Sequence, residues 1–146
     1  MNIPSEIVRF CAEEVERQRR GPIQVADMVD AWVYTLRHRH AQYPSLALIQ
    51  ECGRLVEPTK NDGGWRGCGV RVGDYIAPSA GEVPGLMARW HGQLSNMTPG
   101  EAYREFEEIH PFGDGNGRVG KIIFNWLNRT LDAPVMPPNY FGCINY

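Results

Sequence analysis

Nowhere in the 146 residues do some eighteen apolar side chains run together, and the opening stretch, MNIPSEIVRFCAEEVERQRR, is charged along its length. This excludes a spanning helix and a secretory leader, and the expected location is the cytoplasm, or a host cell to which the protein is delivered. Charge of one sign is lacking too: fifteen basic and seventeen acidic side chains leave a formal net charge of -2. Without a basic excess, neither nucleic acid nor an anionic membrane is an expected partner. Cysteines are few and scattered, at Cys11, Cys52, Cys68 and Cys143, with no CxxC pair. That spacing argues against structural zinc and agrees with reduced thiols. No internal repeat, low-complexity tract or long linker interrupts the chain, so residues 1–146 are expected to form one domain. Its 42% hydrophobic content is enough for one core of packed helices.

Apolar periodicity outlines those helices. Ser5 reads as the cap of a first one carrying Ile7, Val8, Cys11 and Val15, with Gly21-Pro22 as its stop. A second is expected over residues 24–40, with Val25, Met28, Val29, Trp32, Val33 and Leu36 on one stripe and a basic end at Arg37 to His40. Ser45 caps a third, SLALIQECGRLVE, which contains Gly53 and ends at Pro58. A glycine-rich stretch follows, in which WRGCGVRV and DYIAP flank Gly73-Asp74 as an irregular β-hairpin. Helical spacing resumes at Glu82 (Val83, Leu86, Met87, Trp90, Leu94) and stops near Asn96. Thr98-Pro99-Gly100-Glu101 is a capping box, and the helix it starts runs into His110. A last amphipathic helix is expected over Val119 to Leu131, before an irregular tail, APVMPPNYFGCINY.

Between the last two helices lies Gly113-Asp114-Gly115-Asn116-Gly117-Arg118. Glycines there allow successive amides to point the same way, and the following helix adds its positive end, which together make an anion site. Two familiar phosphate motifs overlap the segment and both fail. Gly115 to Gly120 spells GxGxxG, but a dinucleotide fold needs a buried strand before it, and AYREFEEIH is charged and helical. Gly115 to Lys121 spells GxxxxGK, but the next residue is Ile122, which has no hydroxyl for magnesium.

HPFGDGNGR resembles the signature of the Fic family: histidine, phenylalanine, an acid, glycine-asparagine-glycine and arginine, at matching spacing. GGWRGCGVRVGDYIAPSAGEVPGLM is similar to the hairpin flap and helix start that precede that signature, so the likeness covers roughly residues 45–140, with two N-terminal helices over residues 5–40 added. The resemblance implies a mainly α Fic fold, a compact helical bundle with one small β-hairpin flap. It implies transfer of AMP from ATP to a Ser, Thr or Tyr hydroxyl of a target protein, with His110 as general base. Asp114 would hold Mg2+, a hard oxygen ligand for a hard cation. Gly115, Asn116, Gly117, Arg118 and Lys121 would bind the ATP phosphates, and Pro111 and Phe112 would shape the loop. The flap, Gly64, Trp65, Arg66, Gly67, Val70 and Val72, would hold the target as an added strand.

Gly117 stands where kinase-like Doc relatives carry lysine, which favours adenylyl over phosphoryl transfer. Lys121 departs from the signature, which has a second arginine there; the charge is kept and the two-pronged fork is lost. The chain contains no helix motif of serine or threonine, three residues, then glutamate and glycine or asparagine, which restrains many Fic enzymes. Either a separate antitoxin-like protein supplies it, or the enzyme is unrestrained, or regulation has been lost along with the arginine that Lys121 replaces. Two other functions also remain open: a non-catalytic Fic-fold binding module, and transfer of another nucleotide or a phosphoryl group in the manner of Doc.

Overall fold

The computed structural model describes residues 2–138; the part of the predicted irregular tail beyond Pro138, with Cys143 in it, lies outside the described residues. Among these residues the order is α1 (Ser5–Arg17), α2 (Pro22–His38), α3 (Leu46–Val56), β1 (Arg71–Val72), β2 (Tyr75–Ile76), α4 (Val83–Gly92), α5 (Pro99–Ile109) and α6 (Asn116–Leu127). Short 3-10 turns at Ala80–Glu82 and Leu94–Asn96 flank α4. The architecture is mainly helical with one small antiparallel hairpin.

Helix starts follow local chemistry, and two differ from the sequence expectation. Ser5 does not cap α1; Pro4 precedes the helix and its carbonyl accepts from the Ile7 amide at 3.1 Å. Gly21-Pro22 is less a stop than a start, since proline at the first helical position fixes φ where no amide donor is needed. The Gly21 amide donates to the Gln24 side chain at 3.1 Å. Ser45 caps α3 through Leu48, and Thr98 and Glu101 exchange side-chain bonds at 3.1 and 2.9 Å to start α5.

α6 is the centre of the molecule. Every residue from Asn116 to Trp126 is buried, against α5 on one side and α3 and α2 on others. It begins three residues earlier than the apolar periodicity predicts, at Asn116 and not Val119, so the glycine loop is itself the first helical turn. The reason is that Gly115 takes a left-handed conformation, φ 79°, and a Cβ there would come within 2.7 Å of Val56 Cγ1. Only glycine turns the chain so tightly into the helix. Three indoles in the core each donate to a backbone carbonyl, Trp32 to Leu131, Trp90 to Ala102 and Trp126 to Gln42, which satisfies their one polar atom.

The hairpin is smaller than expected. Its ladder pairs only Arg71 with Ile76 and Val72 with Tyr75 across Gly73-Asp74, and the preceding stretch from Gly64 is a loop. That loop is held by Arg66 and not by a ladder, as described below.

Gly53, an apparent flaw within α3, is a requirement of packing. A Cβ at that position would lie 2.3 Å from Cε1 of Phe112, which is fully buried and anchors the loop after His110. Alanine in a helix is otherwise favoured over glycine by ~1 kcal/mol. Gly53→Ala is nonetheless expected to destabilise the protein by about 1–3 kcal/mol through overpacking. Urea denaturation measures it, and a midpoint equal to or above that of the unmodified protein would contradict the packing argument.

Candidate active site

α5 ends at His110, whose backbone is left-handed at φ 51° and ψ 62°, a conformation rarely adopted by residues other than glycine. Arg66 supports that turn from the loop before β1. Its Nε donates to the His110 carbonyl at 2.6 Å, and Nη2 donates to the carbonyls of Ile109 at 3.1 Å and Pro78 at 2.6 Å. Nη1 donates to the Cys68 carbonyl at 2.9 Å, and the Arg66 amide donates to the Pro111 carbonyl at 2.9 Å. A guanidinium fork thus satisfies the orphan carbonyls of a helix end and binds them to the hairpin loop.

His110 is 7% exposed. Its Nδ1 lies 2.9 Å from the Glu107 carbonyl, an acceptor only, so Nδ1 carries the proton and Nε2 the lone pair. Burial pushes the imidazole below its ordinary pKa; the Glu107 carbonyl opposes this, Arg66 reinforces it and Asp114 opposes it. The neutral, proton-accepting form therefore prevails.

The loop after His110 closes on itself. The Asn116 side chain accepts from the Phe112 amide at 2.8 Å and donates to the Phe112 carbonyl at 2.9 Å. The Asn116 side chain is thus committed to the loop itself, and its backbone stands at the start of α6. Phe112 is buried in the notch at Gly53 and meets Trp65 with ring centroids 5.4 Å apart; Pro111 is buried beside it. Asn61, which the sequence reading missed, donates to the carbonyls of Gly53 and Asp114, both at 2.9 Å, and so joins α3 to the loop.

Asp114 sits at the rim. Its Oδ1 accepts from the Gly115 amide at 2.8 Å, and its Oδ2 meets Lys60 at 2.7 Å and Arg20 at 2.8 Å. Burial pushes the carboxyl up, but the bonds from Lys60 and Gly115 and the Arg20 charge outweigh it and hold it below the usual carboxylate range.

A cavity of about 250 Å³ lies between β1 and the loop, lined by Val70 to Val72, His110 and Gly113 to Gly117. His110, Asp114, Gly115, Asn116 and Gly117 are thus brought together. Two other predicted phosphate ligands are not among the lining residues. Arg118 is fully buried, with Nη2 on Glu57 Oε1 at 2.8 Å and Nε on Gln18 at 3.1 Å. Lys121 is 6% exposed, with Nζ on Glu14 Oε2 at 3.0 Å. Burial alone would lower the Lys121 ammonium, but Glu14, Tyr103 and Glu107 together hold it above its ordinary value.

The predicted flap residues divide similarly. Val70 and Val72 line the cavity, and Gly67 is exposed in the loop. Trp65 packs on Phe112, Gly64 turns with φ 89° beside Gln50, and Arg66 is buried on carbonyls. These three pack beneath the site. No periodicity marks Glu14, Gln18, Arg20, Glu57 or Lys60 as partners of the loop, because each reaches it from a distant part of the chain.

A hairpin over a helix end, with a histidine facing a glycine loop that opens a buried helix, is the Fic fold. A crystal structure of a Fic family protein from Desulfovibrio desulfuricans G20 shares it, with a TM-score of 0.63 at 22% identity over 85% of this chain and 46% of that one. Residues 35–128 match the Fic/DOC family, and the chain belongs to that family. Among curated relatives, "Protein adenylyltransferase Fic" of Culex quinquefasciatus is 36% identical over 88 residues, 54% of this chain and 17% of that protein. The protein of the same name from Drosophila ananassae is 34% identical over 93 residues, 57% of this chain and 18% of that one. The chain thus spans less than a fifth of the length of these relatives. Among the described residues no helix is long and apolar enough to cross a membrane.

Nuclear magnetic resonance titration of His110 tests the site's electrostatics. The ring is expected to titrate below 6.5 as the Nδ1-protonated tautomer. Because the folded pKa lies below the unfolded one, the unfolded chain binds more protons as pH falls past 6.5. Its contribution to stability is complete above that pH and is lost as pH drops toward the folded pKa. Titration at or above 6.5, or the Nε2-protonated tautomer, contradicts the assignment.

Proposed function

We propose that this protein transfers AMP from ATP to a Ser, Thr or Tyr hydroxyl of a target protein. The observation that carries this reading is a single cavity in which a buried, neutral His110 faces the open amides at the N-terminus of α6. The relatives named protein adenylyltransferase support it. Nε2 of His110 accepts the proton of the target hydroxyl as its oxygen attacks the α-phosphorus. The bond from that phosphorus to the α,β-bridging oxygen breaks, and pyrophosphate leaves. General-base help of this kind contributes about 10²–10⁴-fold. The amides of Asn116 and Gly117, which open α6, stabilise charge on the phosphoryl oxygens as it builds.

The residues present fit a magnesium ion. Asp114 is ionised and lines the cavity, and Mg2+ is commonly held by one or two carboxylates together with substrate phosphates. No group of three or more His, Cys, Asp or Glu side chains that could form an all-protein metal cage occurs among the described residues. Magnesium held by Asp114 would neutralise charge on the departing phosphates. Lys60 and Arg20 now occupy that carboxylate and would yield it.

The target would lie along β1 as an added strand, its backbone bonds indifferent to side-chain identity and its hydroxyl delivered to His110. Glu14 sets a carboxylate on Lys121 although the restraining motif is absent, so a separate antitoxin-like protein is not needed to place one there. A second reading, a binding module without turnover, draws support from Arg118 and Lys121, whose charges are already matched by Glu57 and Glu14.

Incubation with α-labelled and, separately, γ-labelled ATP, magnesium and lysate distinguishes these functions. Label from the α position is expected on protein, falling at least 10²-fold in His110→Ala. γ label would mean kinase-like chemistry, and no histidine-dependent label from any nucleotide would leave the binding module.

A further inference from the structure

Most cations near the loop are already committed. Arg118 and Lys121 are buried on Glu57 and Glu14, Lys60 and Arg20 share Asp114, and Arg66 is bonded to four carbonyls. Arg71 differs. It is exposed on β1, lines the cavity with Gly113 to Gly117, and its guanidinium makes no hydrogen bond or ion pair with any described residue. Its neighbour Val72 is buried, which fixes the strand while the guanidinium remains available.

The cavity between them has a defined chemistry. One wall is a helix N-terminus with unsatisfied amides, which attracts anions. The other presents a planar fork suited to two phosphate oxygens. Its volume, about 250 Å³, is below the roughly 300–1,000 Å³ of sites that enclose a whole drug-sized ligand. It suits a phosphate chain and not an entire nucleotide.

We infer that Arg71, carried by the hairpin, is the arginine that grips the polyphosphate of ATP in this protein. The role rests on the adenylyl-transfer reading and extends it, because it makes the hairpin a nucleotide clamp as well as a docking edge for the target. A carboxylate on the target is the rival occupant of the same guanidinium. The phosphate chain is favoured because the facing wall presents the amides that open α6, and the one carboxylate there, Asp114, is already matched by Lys60 and Arg20.

Calorimetric titration of the whole protein with ATP, inorganic tripolyphosphate and adenosine, all with magnesium, tests the assignment. Arg71→Ala is expected to weaken ATP and tripolyphosphate about tenfold and to leave adenosine unchanged, the loss typical of a hydrogen bond to a charged group. Arg71→Lys, which keeps the charge without the fork, should fall between. Arg104→Ala removes the same charge from the exposed face of α5 and should leave all three ligands unaffected; its side chain is 64% exposed. Since Arg71 is exposed, an unchanged melting temperature verifies the fold of both Arg71 variants. Wild-type ATP affinity in Arg71→Ala, with His110-dependent labelling intact, overturns the clamp and spares the adenylyl-transfer reading. A variant that binds ATP normally and loses only affinity for the target overturns it likewise, in favour of the carboxylate. Absence of ATP binding by the unmodified protein overturns both.

Discussion

Two cations on a buried helix set the terms for the rest of this molecule. α6 runs through the core carrying Arg118 and Lys121, and an uncompensated charge there would cost several kcal/mol. Each therefore draws a carboxylate inward. Glu57 comes from the end of α3, and Glu14 comes from α1. Gln18 completes the Arg118 shell from the same helix end. α3, which also packs on α6, and α1 are thus fastened to it by charge, and the bundle closes around the segment that also opens the candidate site. Such pairs are weak evidence for net stability, since apolar residues could fill the space as well. Their consequence is specificity of arrangement: α1 and α3 have one place in which both charges are met.

The same economy shapes the loop. His110 departs from helical geometry, and the departure is held by surroundings that leave it few alternatives. Arg66 receives the carbonyls on one side of the turn, Phe112 fills the notch that Gly53 leaves open on the other, and Asn116 ties the loop's first amide to its own end. The base is thereby held in place before any substrate arrives. Arg66 binds the hairpin loop and the histidine's own carbonyl with one side chain, so hairpin and base form one mechanical unit.

Much of this was legible in the chain. The capping box at Thr98, the glycine loop, its histidine and the small hairpin follow from local residue chemistry, and local chemistry is what a sequence displays. The start of α6 was missed because its first turn is glycine and polar, with no apolar stripe, and only the left-handed turn at Gly115 shows that the helix has begun. Ser5 was misjudged because a serine beside proline reads as a cap whether or not its hydroxyl is used. Arg66 was read as part of the flap that holds the target, and Arg118 and Lys121 as phosphate ligands because they follow the glycine loop in the resembled signature. Their actual partners lie 44, 61 and 107 residues away or are backbone carbonyls, and no spacing rule reaches so far.

The stretch matched by the family, residues 35–128, excludes α1 and the start of α2. Yet Glu14, Gln18 and Arg20 come from that excluded part, and they meet Lys121, Arg118 and Asp114 in turn. Three of the loop's charged or polar side chains therefore take a partner from outside the matched unit. Were α1 absent, Lys121 would lose its Glu14 carboxylate while remaining in the core, and breaking a buried pair in this way typically costs about 3–5 kcal/mol. The shared segment carries the chemistry of the loop, but its charge balance is completed by the helix before it.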